Sequence, residues 1–455
     1  MATIGFDFGT SNCAVGIMRN AHPELVTLAE HGFYMPSSLY SASRNTIVNW
    51  LYQNLPTNEQ SNFASARKLA LQKGQMALAE LKLDGLNSEL SFGKSALEHY
   101  LEDPEEGYYI KSPKSFLGAT GLVRQQIDLF EDIVAAMMCH IKACAEQNLK
   151  EDIDQLVIGK PVNFQGLKGD ESNQQALNIL TNAAKRVGFK NVEFQFEPVA
   201  AGVEFEASLP TEKRVLVVDI GGGTSDCSML LMGPELINHE QRSEHILSHS
   251  GQRVGGNDFD IQLALFGLMP YLGMNGQLKT GKPLPVKCFS DAVEINNIAA
   301  QTRFYSAENA RMLAQLLRDA EQKSLLERLL KVQQQKLSYQ LVNCAEQAKI
   351  ELSAVNSTLV DLDFLSPSLM AQLERDNLLQ ANRRILDSIA QLINEAINQA
   401  GCEPDIVFVT GGTAKSPVFN QFIRQLCPAG TELVVGDYFG SVASGLTRWA
   451  DKIYR

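Results

Sequence analysis

Three aspartates sit at the ends of apolar strands beside turns rich in glycine and hydroxyls: Asp7 in "IGFDFGTSN", and Asp219 and Asp226 in "VVDIGGGTSDC". Glycine turns let backbone N–H groups point at an anion with no side chain in the way, and Thr10, Ser11 and Thr224 add hydroxyl donors. Two such turns can hold a polyphosphate from opposite sides. The aspartates alone would repel phosphate. A hard divalent cation resolves the conflict, because Mg2+ takes oxygen ligands and bridges carboxylates to phosphates.

The elements that must position these residues are legible around them. "GFDFGTSNCAVGIM" near residue 5 returns as "VVDIGGGTSDCSMLLM" near residue 217, each with strand, Asp, Gly, Thr-Ser, Cys and a second strand. The echo predicts two hairpins of one chemistry, in two related halves facing a shared ligand. The chain lacks the G-x-x-x-x-G-K-[ST] and G-x-G-x-x-G loops. The cradle is therefore expected to be a β-hairpin rather than a helix N-terminus. "QLVIGKPV" and "DIVFVTGG" read as further buried strands delivering polar loops. Helical periodicity over Asp128–Asn148 and Asn173–Val187 alternates with them, which indicates an α/β architecture. The stretch from Asp291 to Ser353 has neither Gly nor Pro and leucines near helical spacing, and predicts long helices. Residues 40 to 110 look irregular and predict a smaller lobe.

At 455 residues, 45% of them hydrophobic, the chain exceeds what one core usually fills and predicts two lobes. A net charge of −12 disfavours nucleic acid and anionic membranes as partners. The first residues carry no secretory pattern and the longest apolar runs are strand-length, so a soluble, cytoplasmic protein is expected. The eight cysteines are scattered without a C-x-x-C pair and read as reduced thiols. Cys139, His140 and Cys144 are the one local cluster, and on a helix they do not converge into a four-ligand shell.

Taken together, "IGFDFGTSN" and "VVDIGGGTSD" resemble the paired phosphate motifs of the actin, hexokinase and heat-shock ATPase superfamily. "VIGKPVNF", "FEPVAAGVEF", "VGGNDFDIQLA", "AEQAKIELS" and "VTGGTAKSPVF" are similar, in order, to stretches of the DnaK-type heat-shock chaperones. The resemblance runs from residue 4 to about residue 446. It implies an α/β, two-lobed actin-like ATPase fold of duplicated ribonuclease H-like domains, with a nucleotide cleft between the lobes. Lobe I would comprise 1–210 plus 435–455, with an inserted subdomain at about 40–118. Lobe II would be 211–434, with an inserted helical subdomain at about 254–383. The chain stops soon after the last ATPase element, which resembles the truncated members without a peptide-binding domain.

The resemblance also implies roles for single residues. Asp7 and Asp219 would hold hydrated Mg2+, with Asp226 in support. Thr10, Ser11, Asn12, Gly222, Gly223 and Thr224 would bind the phosphates of ATP or ADP, and Gly255 and Gly256 would back them. Glu197 would orient the attacking water. Lys114 in "SPKSFLG" would stabilise charge on the γ-phosphate, with Lys111 three residues earlier as the alternative. Glu346, Lys349, Ser353, Gly411, Gly412, Thr413 and Lys415 would meet the adenosine. Ile350 and Lys415 stand where the chaperones carry two base-stacking arginines, a departure that weakens cation–π contact with the base. The implied activity is slow ATP hydrolysis by a chaperone-related protein, with a protein client or co-chaperone met through the outer lobes. A superfamily phosphotransferase and a non-hydrolysing sensor or actin-like assembly protein are the alternative readings.

Overall fold

A computed structural model of the chain describes residues 2–86, 89–102, 107–162, 164, 169–237, 239, 242–436 and 440–454. Two sheets organise it, and their topologies match. In the first, the strands run in the order His22–Leu25, Asn12–Arg19, Ala2–Phe8, Ile153–Lys160, Asn191–Phe196, with Met35–Pro36 also pairing to Asn12–Arg19. In the second the order is Ile246–Gln252, Ser225–Met232, Lys213–Ile220, Ile406–Thr410, Glu432–Val435. Each opens with antiparallel neighbours and continues in parallel, so the internal echo of the sequence is an echo of topology. Val215–Ile220 is buried throughout, which is why that strand reads as an apolar run broken only by Asp219.

Each sheet anchors its own core. Phe6, Phe8, Ile133 and Ile158 lie in one, and Leu216, Val218, Phe259 and Leu341 in the other. A third, smaller core joins the two sheets. In it Val199, Ala200 and Ala201 of helix Glu197–Ala207 pack against Val442, Leu446 and Ala450 of helix Gly440–Tyr454. Gly5 exists for this crossing: a Cβ there would lie 2.2 Å from the Thr447 backbone nitrogen. No helix among the described residues is long and apolar enough to cross a membrane.

One expectation needs correction and another refinement. Residues 40 to 110 are not irregular: they contain helices Ile47–Asn54, Thr57–Ala66, Lys68–Leu83 and Gly93–Glu102 and a small three-stranded sheet. Helix Lys68–Leu83 hid its period because it is apolar on both sides, with Leu71, Ala77 and Leu81 buried and Leu69, Met76 and Leu83 exposed. The stretch from 291 to 353 is helical as expected but divided into more helices, the longest of them 17 residues. The stretch is cut into Val286–Val293, Ile298–Phe304, Ala307–Asp319, Lys323–Gln334 and Ser338–Ala354. Its breaks are polar rather than Gly or Pro. Asn297 and Ser306 cap new helices by accepting from Ala300 N and Asn309 N. Lys336 turns the chain with φ +52°.

Elsewhere the helical readings hold. Asp128–Asn148 lies within Arg124–Leu149, and Asn173–Val187 falls on Asp170–Arg186 to within a few residues. None of the eight cysteines forms a disulfide. Of the expected terminal segment 435–455, residues 437–439 and 455 lie outside the described residues, as do 87–88, 103–106 and 163 in earlier stretches.

Candidate functional site

The two echoing motifs are β-hairpins, as the sequence predicts. Ala2–Phe8 pairs with Asn12–Arg19, placing Asp7 opposite Ala14, and Lys213–Ile220 pairs with Ser225–Met232, placing Asp219 opposite Asp226. Their tips meet. A Cβ on Gly222 would fall 2.0 Å from Ser11 Oγ, and one on Gly223 would fall 2.8 Å from Thr10 Cγ2. Between and around them lies a cleft of about 800 Å³, lined by both turns. The second turn is fixed from behind: Gly256 N donates to Gly221 O at 2.8 Å and Asn257 N to Gly222 O at 2.7 Å. That close docking requires glycine at 255, where a Cβ would sit 2.7 Å from Gly221 O.

Four carboxylates crowd this cleft against one lysine. Asp7, Glu197 and Asp219 line it, and Lys114 reaches Glu197 in a direct ion pair. Helix Glu197–Ala207 starts at that glutamate with Pro198 in its first turn, so its amino-terminal end holds the carboxylate at the cleft. Burial, with the charge of Glu197 added, pushes the Asp7 carboxyl up to about 8, and the same pair of causes pushes Asp219 up to about 7. Asp226 lies beneath, 3% exposed, and is held well above the usual carboxylate range by burial and then by Asp219. Its Oδ1 has no hydrogen-bond partner. Burial alone would lower Lys114, but Glu197 and then Asp7 outweigh it and hold the ammonium above its ordinary value. Like charges opposite one another in a ladder are destabilising unless something neutralises them. The chemistry of the donors is that which a hard cation takes, with oxygen ligands and an unpartnered buried carboxylate oxygen, but among the described residues no three acidic, His or Cys side chains converge closely enough to hold a metal without further ligands.

The remaining expected residues fall into three groups. Gly411 and Gly412 line the cleft with the hairpins. Gly411 takes φ +86° and presses on Asp219, whose Oδ1 would be 2.6 Å from a Cβ there. Glu346, Lys349 and Ser353 follow one another along helix Ser338–Ala354, each already engaged: Glu346 with Lys111 at 2.7 Å, Lys349 with Asp260 at 2.6 Å, and Ser353 with Ser416 at 2.9 Å. Thr413 is buried and Lys415 exposed in the turn Gly412–Lys415, and neither lines the cleft. Ile350 is 55% exposed. The two lysines weighed from the sequence thus separate in space, Lys114 to Glu197 and Lys111 to Glu346.

Above the cleft a second cavity of about 1010 Å³ shares Ser11 and Asn12 with it. Contacts between the outer parts of the two lobes close around it. Tyr100 stacks on Tyr109 at 5.0 Å, both meet Tyr339 edge-on, and Tyr100 Oη donates to Lys336 O. Asn257 Nδ2 donates to Ser112 Oγ at 3.0 Å. Several cleft residues were missed by the sequence reading, Pro161 and Val442 among them. Ser115 adjoins Lys114 in "SPKSFLG", Arg253 precedes the Gly255–Gly256 pair, and Phe164 comes from a connecting loop. Adjacency to a motif could have found Ser115 and Arg253, and Phe164 ends the quoted stretch "VIGKPVNF".

The family model described as Hsp70 protein matches residues 123–271. The chain is 23% identical over 435 residues to "Chaperone protein DnaK" of Prochlorococcus marinus strain MIT 9515, covering 93% of this chain and 55% of that one. It is 24% identical over 440 residues to "Chaperone protein dnaK1" of Prochlorococcus marinus strain SARG, covering 93% and 52%. The chain is thus similar to DnaK/Hsp70-type proteins over most of its length. The similarity agrees with a two-lobed, actin-like fold, the lobes being those built on the two matching sheets. It spans about half the length of the curated Hsp70-type relatives it matches.

Proposed function

We propose that this chain binds ATP or ADP with Mg2+ in the cleft and hydrolyses ATP slowly, as a chaperone-related ATPase. One observation carries the reading: two glycine–hydroxyl hairpins meet tip to tip over a carboxylate cluster that holds a single buried lysine. We take lobe I as 1–210 with 435–455 and lobe II as 211–434, a division supported by the two large cores. The inserted subdomains at about 40–118 and 254–383 would then form the upper walls.

In this reading the backbone and hydroxyls of Thr10–Asn12 and Gly222–Thr224 hold the phosphates, and Asp7 and Asp219 hold the metal, with Asp226 supporting from beneath. Bound Mg2+ supplies charge neutralisation for the phosphates. Lys114 and Glu197 are joined in a direct ion pair. An arriving terminal phosphate competes for the Lys114 ammonium, which releases Glu197 oxygen to accept a hydrogen bond from water and aim it. Positioning and charge stabilisation are the main demands of phosphoryl transfer. No strong base adjoins that water, so turnover is slow. At the adenosine end Glu346, Lys349 and Ser353 serve the ribose and base side, and the aliphatic Ile350 leaves the base without a stacking cation.

Single-turnover hydrolysis by wild type and by Lys114→Ala tests this. Removing a cation preorganised for transition-state charge lowers the rate by about 10²–10³-fold. Equal rates would end the assignment of Lys114, and would favour a nucleotide sensor if ATP still binds.

A further inference from the structure

We infer that Arg253 is a second cationic ligand for the terminal phosphate, reaching it from the lobe opposite Lys114. The inference rests on the nucleotide reading above and goes beyond it, since no motif discussed so far includes this residue.

Arg253 lines the phosphate cleft with Gly222, Gly223 and Thr224. Its backbone is held on both sides. Ser225 Oγ donates to Val254 O at 2.8 Å, and Gly256 N donates to Gly221 O at 2.8 Å. On the other side, Gln252 ends the strand that pairs with Ser225. The guanidinium is thus carried by a segment docked on the second hairpin rather than by a free loop. Among the described residues it makes no hydrogen bond or ion pair. Its charge is felt by Asp258, but both oxygens of Asp258 are already used: Oδ2 accepts from Gly255 N and Oδ1 from Asn296 Nδ2, each at 2.8 Å.

The charge balance of the cleft gives that guanidinium a task. Asp7, Glu197 and Asp219 line the cleft and Asp226 lies under it, while Lys114 is engaged with Glu197. A triphosphate brings further negative charge into this surrounding. One metal and one shared lysine leave a deficit of positive charge, which an unengaged arginine at the same wall offsets. A planar guanidinium can also donate two parallel bonds to phosphate oxygens, which an ammonium cannot. Lys114 from one lobe and Arg253 from the other would therefore grip the terminal phosphate as the lobes close.

Calorimetry with the full chain distinguishes the outcomes. Arg253→Ala should weaken Mg2+–ATP binding by about ten- to a hundredfold and leave Mg2+–ADP binding within about twofold, because only ATP carries the terminal phosphate. Arg253→Lys should fall between the two proteins for ATP. Unchanged ATP affinity in Arg253→Ala, or an equal loss for ATP and ADP, overturns the inference. Wild-type protein is the control: if it binds neither nucleotide, the nucleotide reading itself fails, whereas wild-type binding with an indifferent Arg253→Ala variant defeats only this inference.

Discussion

Asp219→Asn should make the ligand-free protein more stable at neutral pH even though it damages the site. Asp219 is buried, and its carboxyl is pushed up to about 7 from 3.8 by burial and then by Glu197, despite the opposing charge of Lys114. A carboxyl with a raised folded-state pKa contributes most below its unfolded value. That stability is lost as pH rises from about 4 towards 7. One pKa unit corresponds to about 1.4 kcal/mol, so the ionisable group weighs on the fold by up to about 4 kcal/mol at pH 7. Water entry and local relaxation reduce this to about 2–4 kcal/mol. Asparagine keeps the shape and drops the charge. The assay is urea or thermal unfolding of both proteins in excess chelator from pH 4.5 to 8. The variant is expected to be more stable at pH 7 by that margin, with the gap closing towards pH 4.5. A variant of equal or lower stability at pH 7, or a gap that does not shrink in acid, would refute the electrostatic account of the cleft.

Further outcomes follow from the same reasoning. Ile350→Arg, which supplies a guanidinium where an exposed aliphatic chain now stands, should raise ATP affinity about fivefold, the equivalent of about 1 kcal/mol of cation–π contact; competition binding measures it, and an unchanged affinity would place the base elsewhere. Arg67→Ala should destabilise the lobe of the first sheet by about 3–5 kcal/mol in urea unfolding. Arg67 is buried between Glu131 and Asp132, at 3.1 and 3.0 Å, and its loss leaves Arg186 as the remaining cation on two buried carboxylates, with Asn182 donating to Glu131. A loss under 1 kcal/mol would show that the network relaxes without cost.

What the sequence revealed was local. The hairpins announce themselves because an apolar strand, an aspartate and a Gly-Thr-Ser turn are consecutive, and each aspartate's register follows from the turn. Buried strands are likewise legible as apolar runs, such as Val215–Val218. The pairing of Lys114 with Glu197 is another matter, since the two are separated by 83 residues and meet only through the fold; resemblance to a known family brought them together, not spacing. The helices of residues 40–110 were obscured by apolar residues on both faces of Lys68–Leu83 and by short connections. Those of 291–353 are separated by polar caps at Asn297 and Ser306 rather than by Gly or Pro, so their breaks are marked only by residues common in helices and loops alike. Cross-lobe contacts such as Lys111 with Glu346 and Tyr100 with Tyr339 have no signature in one dimension, because neither partner's surroundings differ from those of ordinary surface residues until the lobes are folded.

Titration calorimetry of ATP into the wild-type chain, with Mg2+ and then with excess chelator, bears most directly on the central claim. The opposed hairpins and their carboxylates predict one site per chain, occupied by ATP and by ADP when Mg2+ is present and much weakened when it is removed. No binding at millimolar nucleotide with Mg2+, or binding indifferent to the metal, would contradict it.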